Sequence, residues 1–208
     1  MPAAESATEE GLVAIGGALT VPRLREAYSR GLFPWSARPV TWWSPDPRAV
    51  FPLDGLRVSR RLAQKIRQQR YRVSVDEAFP AVIEACASQP RQGETTWITQ
   101  PFQKAYAELH QAGAAHSLEI WGEDGSLVGG VYGVATGACF SGESMFHRRP
   151  DASKLALYHL VERLREKGFQ LFDAQVLNPF TEQMGAVEIS RSQFLALLRR
   201  AIAVDAGF

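Results

Sequence analysis

Two short segments carry the side chains whose types and spacing could do chemistry. In Cys139-Phe140-Ser141-Gly142-Glu143-Ser144-Met145-Phe146-His147-Arg148, a single carboxylate stands in apolar company at the end of a strand-like run. Desolvating a carboxylate is costly unless it is paired or hydrogen-bonded. Glu143 therefore has either an internal salt bridge, with Arg148 or Arg149, or a role as the receptor for a cationic group on a substrate. In Phe172-Asp173-Ala174-Gln175-Val176, strand alternation sends Asp173 and Gln175 to one face and Phe172, Ala174 and Val176 to the other. An acid beside an amide, near the C-terminal end of an apolar strand, is either a satisfied buried pair or part of a reaction centre.

Other chemistries find little support. His110, His116, His147 and His159 are scattered, and neither they nor Cys86 and Cys139 have metal-ligand spacing, so no metal and no cofactor is expected. No Walker-type loop is present. Gly129-Gly130, Gly133 and Gly137 read as strand glycines, and no Ser or Cys stands in a nucleophile elbow. An aromatic, proline-stiffened stretch, Leu32-Phe33-Pro34-Trp35 followed by Trp42-Trp43-Ser44-Pro45-Asp46-Pro47-Arg48, holds three of the five tryptophans. It is either a core clamp or a stacking surface for a ring-bearing ligand.

The elements that must position these groups follow from periodicity. Thr20-Val21-Pro22 starts a helix that Gly31 stops. Prolines 34, 39, 45 and 47 forbid a long helix and disfavour a central strand. Ser59 to Gln69 is helical, Tyr71 to Val75 a strand, and Asp76 is expected to cap a helix to about Ala87. Thr99 opens another, ending near Gly113. Ser117–Trp121 and Leu127–Val134 form a hairpin across Gly122-Glu123-Asp124-Gly125, with a third strand from Ala138 to Gly142. A helix from Ser153 to Lys167, a strand from Phe169 to Leu177 and a helix from Ser190 to Ala203 complete the chain. This order predicts an α/β (α+β) protein with a mixed sheet. The expected division is a small aromatic, proline-rich unit over residues 1–56 and a larger domain over 57–208.

The 208 residues are 46% apolar and 22% charged, ordinary globular composition with material for a core. The opening residues are acidic and polar, unlike a secretory signal or presequence. No apolar run approaches the roughly 18 residues of a membrane span. Two lone cysteines fit a reducing compartment, so a cytoplasmic protein is expected, with no membrane partner. The net charge of +1 hides an asymmetry. Residues 57–72 hold Arg57, Arg60, Arg61, Lys65, Arg67, Arg70 and Arg72 with no acid, whereas residues 73–208 carry eleven basic and sixteen acidic side chains. Such a run is either a solvated helix face or a docking patch for a polyanion.

Seven motifs appear in order: Gly31-Leu32-Phe33-Pro34-Trp35, Trp42 to Arg48, Thr96-Trp97-Ile98-Thr99, His116-Ser117-Leu118-Glu119, Gly129-Gly130-Val131-Tyr132-Gly133, Ser141-Gly142-Glu143-Ser144-Met145-Phe146 and Asp173-Ala174-Gln175-Val176. Together they strongly resemble the leucyl/phenylalanyl-tRNA–protein transferases, over about Gly11 to Leu198. The resemblance implies a small N-terminal domain followed by an acetyltransferase-like (GNAT) domain. It also implies transfer of Leu or Phe, and of Met, from aminoacyl-tRNA to proteins starting with Arg or Lys, which marks them for N-end-rule degradation. Leu-tRNA, Phe-tRNA and the acceptor protein are the implied partners of a monomer. By matching positions, Trp35 and Trp97 hold the terminal adenosine. Met145, Val131, Leu160, Leu164, Phe172 and Ser144 line the amino-acid pocket. Glu143 helps place the acceptor, Asp173 and Gln175 sit at the reaction centre, and Arg57, Arg60, Arg61, Lys65, Arg67 and Arg70 receive the tRNA backbone. The sequence is expected to stop short of a C-terminal extension that some members carry.

The implied reaction is aminolysis of an activated ester. It needs little acid–base power and much positioning, because an α-amine has a pKa near ~7.7–8.0. An amide is scarcely basic, so Gln175 is expected to orient the amine, with Asp173 fixing its rotamer. The rivals are an N-acetyltransferase using acetyl-CoA and a non-catalytic RNA-binding module. Against the first, the segment from Gly142 to Ser153 lacks the Gln/Arg-x-x-Gly-x-Gly/Ala pattern that cradles a pyrophosphate.

Overall fold

Local signals set the first elements. The computed structural model describes residues 1–89 and 96–208. After β1 (Leu12–Ile15), α1 (Val21–Ser29) begins with Pro in its first turn and buries Leu24, Ala27 and Tyr28. The aromatic stretch is then folded into two strands, β2 (Phe33–Ala37) and β3 (Val40–Trp43). These make an antiparallel three-stranded sheet in the order β1-β3-β2. Pro34 sits in the edge strand β2, where a missing N–H is tolerated, and the central strand β3 has no proline.

The next strand, β4 (Arg48–Phe51), belongs to a different sheet. It is followed by α2 (Arg60–Gln68), β5 (Arg72–Val75), α3 (Phe79–Ala87), α4 (Gln100–Gln111), β6 (Ala115–Trp121), β7 (Leu127–Thr136) and β8 (Cys139–His147). The chain closes with α5 (Ala152–Glu166), β9 (Leu171–Gln175), α6 (Pro179–Gln183), β10 (Val187–Ile189) and α7 (Arg191–Ala201). The large sheet has the order β10-β4-β9-β8-β7-β6-β5. Every neighbouring pair is antiparallel except β8 and β9, whose parallel pairing requires a crossover, supplied by α5. Because β4 lies in the large sheet, the chain passes between sheets at residues 44–47.

Helices cover both faces of this sheet. On one side, Phe79, Val82, Phe102, Tyr106 and Leu109 of α3 and α4 join Leu24, Phe33 and Trp42 of the N-terminal unit in one buried cluster. On the other, Leu155, Leu160, Val161 and Leu164 of α5 pack with Phe51, Phe140 and Phe172. The central strand β7 is consequently buried from Leu127 through Val134 without alternation.

Several boundaries differ from expectation. Asp76 does not cap α3, whose N-cap is Ala78. It adopts φ 59° and accepts hydrogen bonds from the Ser117 amide and the His116 ring, tying β5 to β6. The third strand runs on from Gly142 to His147, and β9 stops at Gln175. The short β1, α6 and β10 carry too few residues for a periodic signal. Ser59 caps α2 as its type suggests, accepting from the Leu62 amide at 3.2 Å.

Candidate active site

Two breaks in strand pairing deliver the central side chains. Between β7 and β8, Tyr132 pairs with Ser144 and Gly133 with Gly142, so Glu143 is the extra residue of a β-bulge. A bulge re-aims the side chain it carries. Gly133 is required opposite it, since a Cβ there would collide with the Ser141 carbonyl and the Phe140 ring. Between β4 and β9, Ala49 pairs with Gln175 and Val50 with Asp173, leaving Ala174 as the extra residue. Gln175 follows at φ 64°, in the left-handed region that residues with a Cβ rarely adopt.

Glu143 receives three hydrogen bonds. Gln175 Nε2 donates to Oε1 at 2.6 Å, the Tyr28 hydroxyl to Oε1 at 2.7 Å and the Tyr106 hydroxyl to Oε2 at 2.9 Å. Burial pushes the Glu143 carboxyl up to about 7, the three donors pull it back, and the nearby charge of Asp173 adds to the rise. Burial and the Glu143 charge hold both tyrosines far above the usual phenol range, so they remain hydroxyl donors. The expected arginine partners are engaged elsewhere. Arg149 pairs with Asp124 at 2.7 Å, and Arg148 lies over the Phe146 ring.

Asp173 and Gln175 do not share a face, because the bulge at Ala174 breaks the alternation. Phe172, Ala174 and Gln175 line a cavity of about 890 Å³, and Asp173 turns away from it. The Asp173 carboxylate instead takes a two-point ion pair from Arg48, with Nε at 2.8 Å and Nη2 at 2.7 Å. It reaches Gln175 through the backbone, accepting the Gln175 N–H at 2.9 Å, and leaves the rotamer of that side chain to Glu143.

The cavity gathers most of the remaining expected residues. Trp35 and Trp97 line it together with Glu143, Val131, Ser144 and Met145. Trp35 is 43% exposed, with its ring centroid 5.9 Å from that of Phe33 and 5.5 Å from that of Trp43. Leu160 and Leu164 are not in the lining: they face inward from α5 and are fully buried behind the wall. Phe51 lines the cavity instead, its ring 5.0 Å from that of Phe172.

The basic run lies mostly on α2. Arg57, Arg60, Arg61, Arg67 and Arg70 are exposed and Lys65 is half-buried. Arg61 and Lys65 contact Asp151 at 3.1 and 2.8 Å, and Lys65 donates to the Pro150 carbonyl. Asp151 and Pro150 line the cavity, so the positive surface meets its rim. Arg72 is drawn off to Glu77 and the face of Trp121.

Tyr28, Tyr106, Arg48 and Phe51 are site residues that the sequence does not single out. Both tyrosines sit on apolar helix faces, where an aromatic ring reads as core; the only signal is a hydroxyl that needs a partner when buried. Arg48 carries a stronger one. A charge directly before Ala49-Val50-Phe51 raises the same question of pairing that Glu143 raises.

A carboxylate and an amide held together in the wall of a largely apolar cavity can orient and desolvate a reacting group. On a mixed α/β scaffold such an arrangement can serve group transfer. Residues 50–199 match the family model described as leucyl/phenylalanyl-tRNA protein transferase, and residues 17–46 match the model of that family's N-terminal domain. A leucyl/phenylalanyl-tRNA–protein transferase of Alkalilimnicola ehrlichii is 50% identical over 206 residues, covering 97% of this chain and 80% of the relative. The chain belongs to the leucyl/phenylalanyl-tRNA protein transferase family and is an aminoacyltransferase. Among solved structures, L-PGS from Bacillus licheniformis is similar with a TM-score of 0.45 at 16% identity, over 82% of this chain and 66% of that one. A GCN5-related N-acetyltransferase from Kribbella flavida has a TM-score of 0.40 at 12% identity, over 78% and 58%. Among the described residues, no helix is long and apolar enough to cross a membrane.

Proposed function

We propose that this protein, acting as a monomer in the cytoplasm, transfers Leu, Phe or Met from aminoacyl-tRNA to the α-amine of proteins beginning with Arg or Lys. The product would enter N-end-rule degradation. The observation that carries the reading is the Gln175–Glu143 hydrogen bond at the cavity wall. With Nε2 committed to Glu143, the Gln175 carbonyl is left to accept an N–H from the incoming amine and aim its lone pair. The amine attacks the ester carbonyl carbon, the new C–N bond forms, and the bond to the ribose 3′ oxygen breaks. The amine's proton passes to Glu143, held near neutrality, and returns to the departing oxygen, giving an amide and tRNA with a free 3′ hydroxyl.

The apolar wall of Val131, Met145, Phe172 and Phe51 suits an unbranched-Cβ side chain. A misplaced methyl costs about 1–3 kcal/mol in such a pocket, so discrimination against Val or Ile would be good and incomplete. Stacking of adenine on Trp35 or Trp97 would add about 1–3 kcal/mol. The α2 arginines would hold the acceptor-arm backbone. Labelled Leu-tRNA incubated with an Arg-starting peptide is expected to give labelled peptide, whereas labelled acetyl-CoA gives none. Gln175→Ala is expected to lose about a hundredfold in transfer with Leu-tRNA binding intact. Unchanged transfer by that variant would remove Gln175 from the chemistry.

A further inference from the structure

We infer that Arg48 is a positioning residue of the reaction centre, acting through Asp173, which is itself a positioning residue and takes no proton from substrate. This deepens the aminoacyl-transfer reading and rests on it. Arg48 and Asp173 are each 1% exposed. The four acceptor sites of the Asp173 carboxylate are filled: Oδ1 by Arg48 Nε and the Gln175 N–H, Oδ2 by Arg48 Nη2 and the Ser141 hydroxyl at 3.1 Å. Asp173 also lies outside the cavity lining, so no direction remains from which an amine could reach it.

Arg48 is held as tightly as it holds. Its guanidinium carbon lies 4.8 Å from the Phe33 ring centroid and 4.3 Å from that of Phe194, and Nη1 donates to the Gly31 carbonyl at 3.2 Å. A planar fork against two rings and a two-point carboxylate fixes orientation in a way that a lysine point charge does not. The order of support runs from the rings to Arg48, from Arg48 to Asp173, and from Asp173 to the Gln175 backbone. That backbone sits at φ 64°, a conformation that persists only when its surroundings impose it. The Gln175 side chain leaves that backbone to donate to Glu143 at 2.6 Å. A buried ion pair is weak evidence for stability, and one that anchors a strained residue beside a cavity has geometry to account for it.

The test is the transfer of leucine from Leu-tRNA to an Arg-starting peptide, measured well below the melting temperature. Arg48→Lys is expected to lower kcat by about ten- to a hundredfold, a loss that fits a shift of an ångström or less, with both KM values within about threefold. Loosening Gln175 weakens a hydrogen bond that holds the Glu143 carboxyl down, so the inflection of the pH–rate profile should also move upward. The double variant Arg48→Met/Asp173→Leu replaces the pair by apolar groups, which buried ion pairs tolerate, and it should fold and bind tRNA with the same kcat loss. Wild-type kcat and an unmoved inflection in either folded variant would overturn the inference. Absence of leucyl transfer by the wild-type protein would instead overturn the reading it rests on.

Discussion

At the residue scale, Glu143 does two things that pH separates. Its folded carboxyl, pushed up to about 7, holds a proton between roughly pH 4.5 and 7 that the unfolded chain has released. The folded state therefore binds more protons in that window, and stability falls as pH rises through it. Glu143→Gln removes this dependence. Relative to wild type the variant should gain with rising pH, reaching at most about 3 kcal/mol near pH 8, at ~1.4 kcal/mol per pKa unit. The figure is an upper bound because water entering the cavity screens the charge. Chemical denaturation at pH 5 and pH 8 checks it, and equal gains at both values would contradict the buried-carboxylate picture. The same variant should lose the pH–rate inflection near 7. Glu143 and Gln175 were legible in the sequence because each places a polar group needing a partner in apolar company, whereas Trp35 was singled out only by the motif it shares with the transferase family. The partners were not. Tyr28 and Tyr106 reach Glu143 from 115 and 37 residues away, and Arg48 reaches Asp173 from 125, separations that no local pattern encodes.

At the element scale, α2 joins a charged surface to the cavity rim. Arg60, Arg67 and Arg70 have no ion-pair partner among the described residues. Replacing all three with Ala is expected to weaken Leu-tRNA binding and to reduce the slope of log K against log salt by about 0.7–0.9 for each phosphate no longer neutralised. An unchanged slope in the triple variant would move the tRNA site elsewhere. The helices themselves were readable from apolar spacing and cap residues, as Ser59 and Ser190 illustrate. The strands were readable in kind but not in their irregularities. Nothing in Gly142-Glu143-Ser144 or in Asp173-Ala174-Gln175 announces an extra residue, because a bulge is a property of two strands and their register. Regular alternation therefore put Asp173 beside Gln175 on one face, and the bulge put it behind.

For the whole molecule, the two sheets share one interior. Leu24, Phe33 and Trp42 of the N-terminal unit pack in the same cluster as Phe79, Leu171 and Phe194. The Arg48 guanidinium lies between Phe33 on one side and Phe194 on the other. Denaturation followed by tryptophan fluorescence, which weights the N-terminal unit, should coincide with far-UV circular dichroism, which weights the large sheet. Two separated transitions would show that the units are held independently. From Ser59 onward the order and type of most elements were visible from periodicity, and so was the mixed α/β class, whereas β1 to β4, α6 and β10 were not. The assignment of β4 to the large sheet was not, since only its pairing with β9 and β10 distinguishes it from the aromatic strands before it.

The most direct test is a crystal structure of the protein with a non-hydrolysable 3′-amide analogue of leucyl-adenosine. The adenine is expected against Trp35 or Trp97, the leucyl side chain against Met145 and Phe172, and the acyl carbon about 3–3.5 Å from where an amine nitrogen hydrogen-bonded to the Gln175 carbonyl would sit. An analogue bound with its acyl carbon remote from both Gln175 and Glu143 would contradict the claim that this cavity brings ester and amine together.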